Sequence, residues 1–463
     1  MAMQRTRLIF LVVFFLYVKV EKLQSLDYTC NANDLNTGFT LSYSSHTAED
    51  KSSSCSLQKC NSNLNNTKNC YHPSTPCFDY LSFDNQSYCA PAIQCSILQI
   101  CNQTCTSNTS VCIVNSCCSP SSVCLPLSLT NLCIKGWFMT GNMTYARYGH
   151  TESVLNNGKV LISGGYNNNG GGDPSGAELY DPSTGNWSAT MYMHNAHSLH
   201  TSSKLNNGTI LVAGGMLNFI ATNTTELYDL STGTWTRTGN MIYARYGHKA
   251  SVLNNGKVLV SGGSNGNDTL NTTEIYDPST GMWTSTGIMN EKRYGHTSSL
   301  LNNGKVLVTG GAAGFIVFNS TEIYDPSTGI WLMTNNMNSL RNGHSATLLN
   351  NGKVLVAGGS DGYGALITTE LYDSSTGTWA NTVNMNQPRY GHTASLLTSG
   401  KVLVVAGQGV INGEFYDPQT ETWTITGTLN NNRYGHTASL LHNGKVLITG
   451  GIGGYYLNSA ELY

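Results

Sequence analysis

One histidine recurs at His150, His200, His248, His296, His344, His392 and His436, mostly at intervals of 48 residues, and the same landmarks follow each copy. They are a short apolar run ending in paired glycines, a Thr-Glu-aliphatic-Tyr-Asp segment, the turn Asp-Pro-Ser-Thr-Gly and a tryptophan. The stretch Arg245–Trp283, RYGHKASVLNNGKVLVSGGSNGNDTLNTTEIYDPSTGMW, contains them all. A period of about 20–50 residues restricts a chain to stacked or ring-closed copies of one small unit, because a single copy cannot bury its own apolar face.

Within a copy, the residues after His alternate in character, as in HTASLL from His392 to Leu397, and predict a strand a. Asn-Asn-Gly, as at Asn254-Asn255-Gly256, suits a tight hairpin because both residue types tolerate positive φ. KVLVSGG predicts a short buried strand b, whose paired glycines admit close backbone approach. TEIYD is then strand c, and the segment carrying Trp is strand d. The order Gly-His, Gly-Gly, Tyr-Asp and Gly-x-Trp resembles a kelch-repeat β-propeller over residues 136–463, with Leu199-His200 and Ala406-Gly407 departing from the pattern. The resemblance implies an all-β ring of four-stranded blades.

Seven tryptophans (Trp137, Trp187, Trp235, Trp283, Trp331, Trp379, Trp423) match seven glutamates (Glu178, Glu226, Glu274, Glu322, Glu370, Glu414, Glu461) and seven histidines, so seven blades are expected. The last copy stops at Glu461-Leu462-Tyr463, after strand c, whereas GWFMTGNMTYARYGH (Gly136 to His150) matches TWTRTGNMIYARYGH (Thr234 to His248). Trp137 therefore predicts an N-terminal d strand that completes the C-terminal a, b and c strands and hides the sheet edges of an open array.

Length varies between copies only from the second glycine to Glu: Tyr166 to Ala177 in the first, Gln408 to Gly413 in the sixth, Ile452 to Ala460 in the seventh. These b–c loops share one end of a propeller with the d–a connections, and variable loops on a repeated scaffold are the expected recognition surface. They carry apolar residues: Met216, Leu217, Phe219, Ile220, Phe315, Ile316, Val317, Phe318, Tyr363, Leu366, Ile367, Val410, Ile411, Tyr455, Tyr456 and Leu457. Sequons at Asn223, Asn267, Asn271 and Asn319 fall in the loops of blades two to four. Glycans there would leave blades five to seven open, making Tyr363, Leu366, Ile367, Val410, Ile411, Tyr455 and Tyr456 the preferred contact residues. Arginines three residues before the landmark His form a competing anion site, represented on the same arc by Arg341, Arg389 and Arg433, although an Arg–Glu pair repeated in every blade explains them without a ligand. The recurrent histidines are likewise expected to tie strands together rather than bind metal.

The region before the repeats differs in kind. Arg5 and Arg7 precede an apolar run, Leu8 to Val18, predicting a signal peptide over residues 1–25; a membrane span is expected only if that segment is uncleaved. Every cysteine of the chain lies in residues 27–133: Cys30, Cys55, Cys60, Cys70, Cys77, Cys89, Cys95, Cys101, Cys105, Cys112, Cys117, Cys118, Cys124 and Cys133. An even set behind a signal predicts a small disulfide-stapled region whose pairing is open. Further sequons at Asn65, Asn85, Asn102, Asn108, Asn142, Asn186 and Asn207 point to the same extracellular compartment. A net charge of −2 with 11% charged residues gives no footprint for a nucleic acid.

The repeat also resembles the propeller of secreted galactose-oxidase-like enzymes, which implies copper and a tyrosine cross-linked to cysteine. That chemistry needs a cysteine in the propeller, and none follows Cys133. A hydrolase would rest on unrepeated acids such as Asp173, Asp268, Asp361 and Glu291. The expectation is a secreted, glycosylated, non-enzymatic propeller without a cofactor, binding an extracellular protein or glycan at its b–c/d–a face. A structural matrix or coat component is the alternative.

Overall fold

The computed structural model describes residues 137–167 and 175–463 together with nine strands of the preceding region. The chain divides into two compact units, Met1–Gly136 and Trp137–Tyr463. In the first, the described strands form three-stranded antiparallel sheets, one from Thr29–Ala32, Leu35–Leu41 and His46–Glu49, a second from Tyr71–His72, Thr75–Leu81 and Ser87–Pro91. In the third, Val123–Pro126 lies between Gln99–Ile100 and Ser110–Ile113. The expected signal peptide, the cysteine side chains and Asn65, Asn85, Asn102 and Asn108 lie outside what is described.

The second unit is a seven-bladed propeller of four-stranded antiparallel sheets. Blade three is representative, with strands Lys249–Val252, Val258–Ser261, Thr273–Asp277 and Met282–Ser285 side by side in chain order. Every residue of its strand b is buried, because alternate side chains face opposite neighbours. Val258 and Val260 pack with Leu211 and Ala213 of blade two, whereas Leu259 packs with Val306 and Val308 of blade four. The glycines after strand b make the blades fit. A Cβ on Gly262 would stand 2.5 Å from the carbonyl oxygen of Arg293 in the next blade, and Gly263 donates its N–H to that same oxygen at 2.8 Å. Blade six places Ala406 in this left-handed position at φ 53°, and its Gly407 to Arg433 bond lengthens to 3.2 Å.

The ring closes as the repeat register predicts. Phe138–Met139 is the outer strand of the last blade, with Phe138 opposite Leu462 and Met139 opposite Glu461. Trp137 is 5% exposed and belongs to the core between blades six and seven, with Leu403, Val405, Val446 and Ile448, and its ring lies 4.9 Å from that of Tyr463.

Charge is used in two ways. At the end carrying the a–b and c–d turns, exposed lysines pair with turn aspartates, as Lys305 Nζ does with Asp325 Oδ2 at 3.0 Å. At the other end, fully buried arginines pair with the strand c glutamates. Arg293 Nη2 donates to Glu322 Oε1 (3.0 Å) and to Ser320 Oγ (2.9 Å), and Nη1 to the carbonyls of Gly310 (2.7 Å) and Ser320 (2.9 Å). Glu322 also accepts the backbone N–H groups of Asn290 and Glu291. One ion pair thus fixes strand b, the b–c loop and the d–a loop together.

Two stability measurements check this construction. Trp137→Ala is expected to cost about 3–5 kcal/mol in denaturant unfolding, as for a buried tryptophan of any continuous core. Glu322→Ala, which leaves a buried guanidinium without its carboxylate, is expected to cost about 3–5 kcal/mol, against about 0–1 kcal/mol for Lys305→Ala at the exposed pair.

Candidate functional site

At the b–c/d–a end the two loop sets are hydrogen-bonded to each other. Single backbone bridges join Tyr148 to Tyr166, Ser198 to Met216, Tyr246 to Ser264, Tyr294 to Ala312, Asn342 to Ser360 and Tyr434 to Ile452. In each pair the first residue stands two positions before the landmark His and the second follows the glycine pair. The loops are therefore built stems with free tips, each projecting from a repeated anchor.

The tips differ between blades. In blade two, Met216–Leu217 pairs with Ile220–Ala221, and in blade four Ala312–Ala313 pairs with Ile316–Val317. These hairpins hold Phe219 72%, Ile220 72% and Ile316 65% exposed, with Phe315 entirely in solvent. Asn218 and Phe219 turn their hairpin with φ of 50° and 66°, a strained conformation for a phenylalanine, whose ring packs 5.2 Å from that of Tyr166. In blade five Asp361 Oδ1 accepts the N–H groups of Tyr363 and Gly364, both at 2.9 Å, and this turn presents Tyr363 98% exposed. Ile411 and Tyr455 are the exposed tips of blades six and seven.

The expected contact residues divide accordingly. Tyr363, Ile411 and Tyr455 are exposed on this face, and Tyr456 is half-buried with its ring 5.7 Å from Tyr166. Leu366 is half-buried and bridges to Arg389, Ile367 packs on the core between blades five and six, and Val410 is buried. Arg341, Arg389 and Arg433 are corrected as contact residues: each is 0% exposed and paired with Glu370, Glu414 or Glu461. The loop sequons have structural partners of their own. Asn223, Asn271 and Asn319 donate the amide nitrogen that would carry a glycan to the carbonyls of Met241, Met289 and Met337, at 2.7, 3.1 and 2.9 Å. Among the loop sequons Asn267 is the exposed one, so nothing singles out blades five to seven as the open arc. Asp173 lies outside the described residues.

Inside this rim is a collar of tyrosines. Tyr148 and Tyr434 are 6.2 Å apart, and Tyr246 and Tyr294 are 5.9 Å apart, both edge-on. Burial and the neighbouring phenols push Tyr294 up to about 12. Beyond the collar stand the landmark histidines, each bonded through Nε2 to a hydroxyl of the preceding blade: His150 to Thr437 and Thr449, His248 to Thr201, His344 to Thr297 and Thr309, His392 to Ser345. Burial lowers their pKa values and keeps the rings neutral. Among the described residues no group of three or more His, Cys, Asp or Glu side chains is placed to hold a metal, and the histidine Nε2 atoms already bonded to hydroxyls do not form a copper ligand set. Two charged residues of the channel, Glu152 and Lys249, belong to no landmark. The signal that finds them is a departure at strand a positions that are Thr, Ser or Ala in the other blades.

Two family models match the chain: the KLHDC2/KLHL20/DRC7 Kelch-repeats domain over residues 117–311 and the Kelch motif over residues 341–386. No curated protein matches it. Among solved structures, one described as a novel fungal alcohol oxidase with catalytic diversity among the AA5 family, in complex with copper, superposes with a TM-score of 0.59 at 21% identity, covering 70% of this chain and 75% of that one. At that identity the likeness concerns the fold alone. Repeat register, ring closure and both family matches agree that this chain belongs to the kelch-repeat proteins and folds its repeats into a seven-bladed β-propeller.

Proposed function

We propose that the b–c/d–a face is a docking surface for another protein and that the protein works outside the cell without catalysing a reaction. A kelch propeller is suited to protein binding, and the observation that carries this reading is the ring of exposed apolar tips: Phe219, Phe315, Ile316, Tyr363, Ile411 and Tyr455. These residues stand on loops that disagree between blades, above a scaffold that repeats. Large apolar groups held in water on rigid stems are a standing desolvation gain for a partner that covers them, and aromatic anchors dominate most protein interfaces.

The extracellular assignment is supported by the apolar run after Arg5 and Arg7 and by the confinement of all cysteines to the region before the repeats. A glycan is the second reading, favoured by the flat rings of Tyr363 and Tyr455. The aliphatic tips Ile220, Ile316 and Ile411 favour protein, because a sugar-stacking site has no use for them.

The test compares the wild-type chain with Phe315→Ser and Tyr363→Ser on arrays of secreted and cell-surface proteins and of glycans. Because both side chains stand in solvent, the variants should melt with the wild type, while affinity for the captured protein falls by at least about tenfold in the double variant. Undiminished capture, or capture confined to the glycan array, would overturn the protein-docking reading.

A further inference from the structure

The channel wall is made of strand a from every blade, and its upper half contains two exceptions to the repeat. Directly after the landmark His, six blades carry Thr or Ser, whereas blade three carries Lys249. One position further, the other blades carry Ser or Ala, whereas blade one carries Glu152. Both exceptions line a single polar cavity of about 390 Å³, with His150, His200 and His436 around them.

Neither charge has a counter-ion. Oxygen Oε2 of Glu152 accepts from Thr437 Oγ1 at 2.6 Å and Thr449 Oγ1 at 3.3 Å across the closure between blades seven and one. Its other oxygen, Oε1, is enclosed on the side of Ser439 and makes no well-aligned hydrogen bond. Burial pushes this carboxyl up to about 7, against the pull of the hydroxyls. Lys249 lines the channel with its side chain exposed to the solvent there, and it makes no hydrogen bond or ion pair among the described residues. Desolvation lowers its pKa, and the rings nearest it, His248, His296 and His344, are themselves held neutral by burial. A channel needing only to be filled would keep the small residues used by the other blades. An acid and a base that line one cavity without an ion pair offer complementary groups to a ligand that carries both charges.

We propose that this cavity binds a small zwitterion of amino-acid size, whose ammonium group meets the Glu152 carboxylate and whose carboxylate meets Lys249. The volume lies at the lower end of small-molecule pockets, about 300–1,000 Å³. Discrimination follows from the same pair: a ligand with one charge satisfies one residue and leaves the other without a counter-ion. The site is independent of the loop tips that form the docking face.

The test is calorimetric titration of the full chain with glycine, β-alanine, γ-aminobutyrate and δ-aminovalerate, which differ in the separation of their charges, beside butylamine and butyrate. One member of the series is expected to bind at least about tenfold more tightly than either singly charged control. Glu152→Ser and Lys249→Thr install residues that other blades already carry there, so the propeller is retained, and each should weaken that member by at least about tenfold. Absence of binding by the whole series, no preference over the controls, or wild-type affinity in either variant would overturn the proposal. The wild-type titration decides alone if a variant does not fold.

Discussion

In six of the seven blades a guanidinium that never reaches solvent holds the b–c loop in place. In blade three, Arg245 donates to the carbonyl of Gly262 at the end of strand b, to Thr272 at the foot of the loop and to Glu274 on strand c. Glu274 accepts the N–H groups of Ile242 and Tyr243 in the preceding connection. Removing water from such a pair is compensated as its donors find acceptors, which both terminal nitrogens of Arg245 do while its Nε is left without one, and the fork of arginine supplies donors in fixed directions that a lysine could not. The clamp fixes where a loop starts and ends and leaves its interior unconstrained. That freedom lets one scaffold carry a hairpin in blade two, an Asx turn in blade five and the shortened connection of blade six, where strand c is extended and bulged at Asn412 to Glu414.

Blade two shows what the clamp requires by departing from it. His197 replaces the arginine, donates from Nδ1 to the carbonyl of Gly214 (2.6 Å) and lies 3.5 Å from Glu226 through Nε2. A second histidine, His194, reaches Glu226 at 3.0 Å from the half-open side. Burial pushes the Glu226 carboxyl up, but the hydrogen bonds from His197, His194 and Asn195 outweigh it and hold the group at about 2. The glutamate is thus served by several weaker partners in place of one guanidinium. The same blade sets Leu199 in the left-handed region at φ 53°, with its side chain against Gly149 of blade one, where the other blades use glycine.

Blade number, strand order, ring closure and the end that carries the variable loops were all legible in the sequence, because each rests on residues that geometry forces to recur. The burial of Arg341, Arg389 and Arg433 was legible only as a pairing with Glu, since spacing alone does not say whether a charge faces water. Sequons misled for a physical reason. Asn223, Asn271 and Asn319 bind the d–a loop through their amides, and the buried Thr225, Thr273 and Thr321 that start strand c supply the threonine two residues on. Two structural requirements thereby spell N-x-T. Phe219 and Phe315 were legible as apolar, but their exposure depends on hairpins that form only between anchored stems.

A reading by landmarks attends to columns that agree, and Glu152 and Lys249 lie in columns with no landmark. Their placement bears on what a ring of seven similar blades can recognise. Identical side chains around an axis present an asymmetric ligand with equivalent seats and therefore do not orient it. Orientation requires departures from the repeat, and along the channel these include Glu152 in blade one, Ser198 and Leu199 in blade two, Lys249 in blade three and Asn342 in blade five. Ser198 takes the collar position held by tyrosine in most blades, and Asn342 takes it in blade five, so the collar is altered at two places. The repeat supplies a rigid, close-packed wall, and the positions where it is broken, unequally around the axis, give that wall a direction.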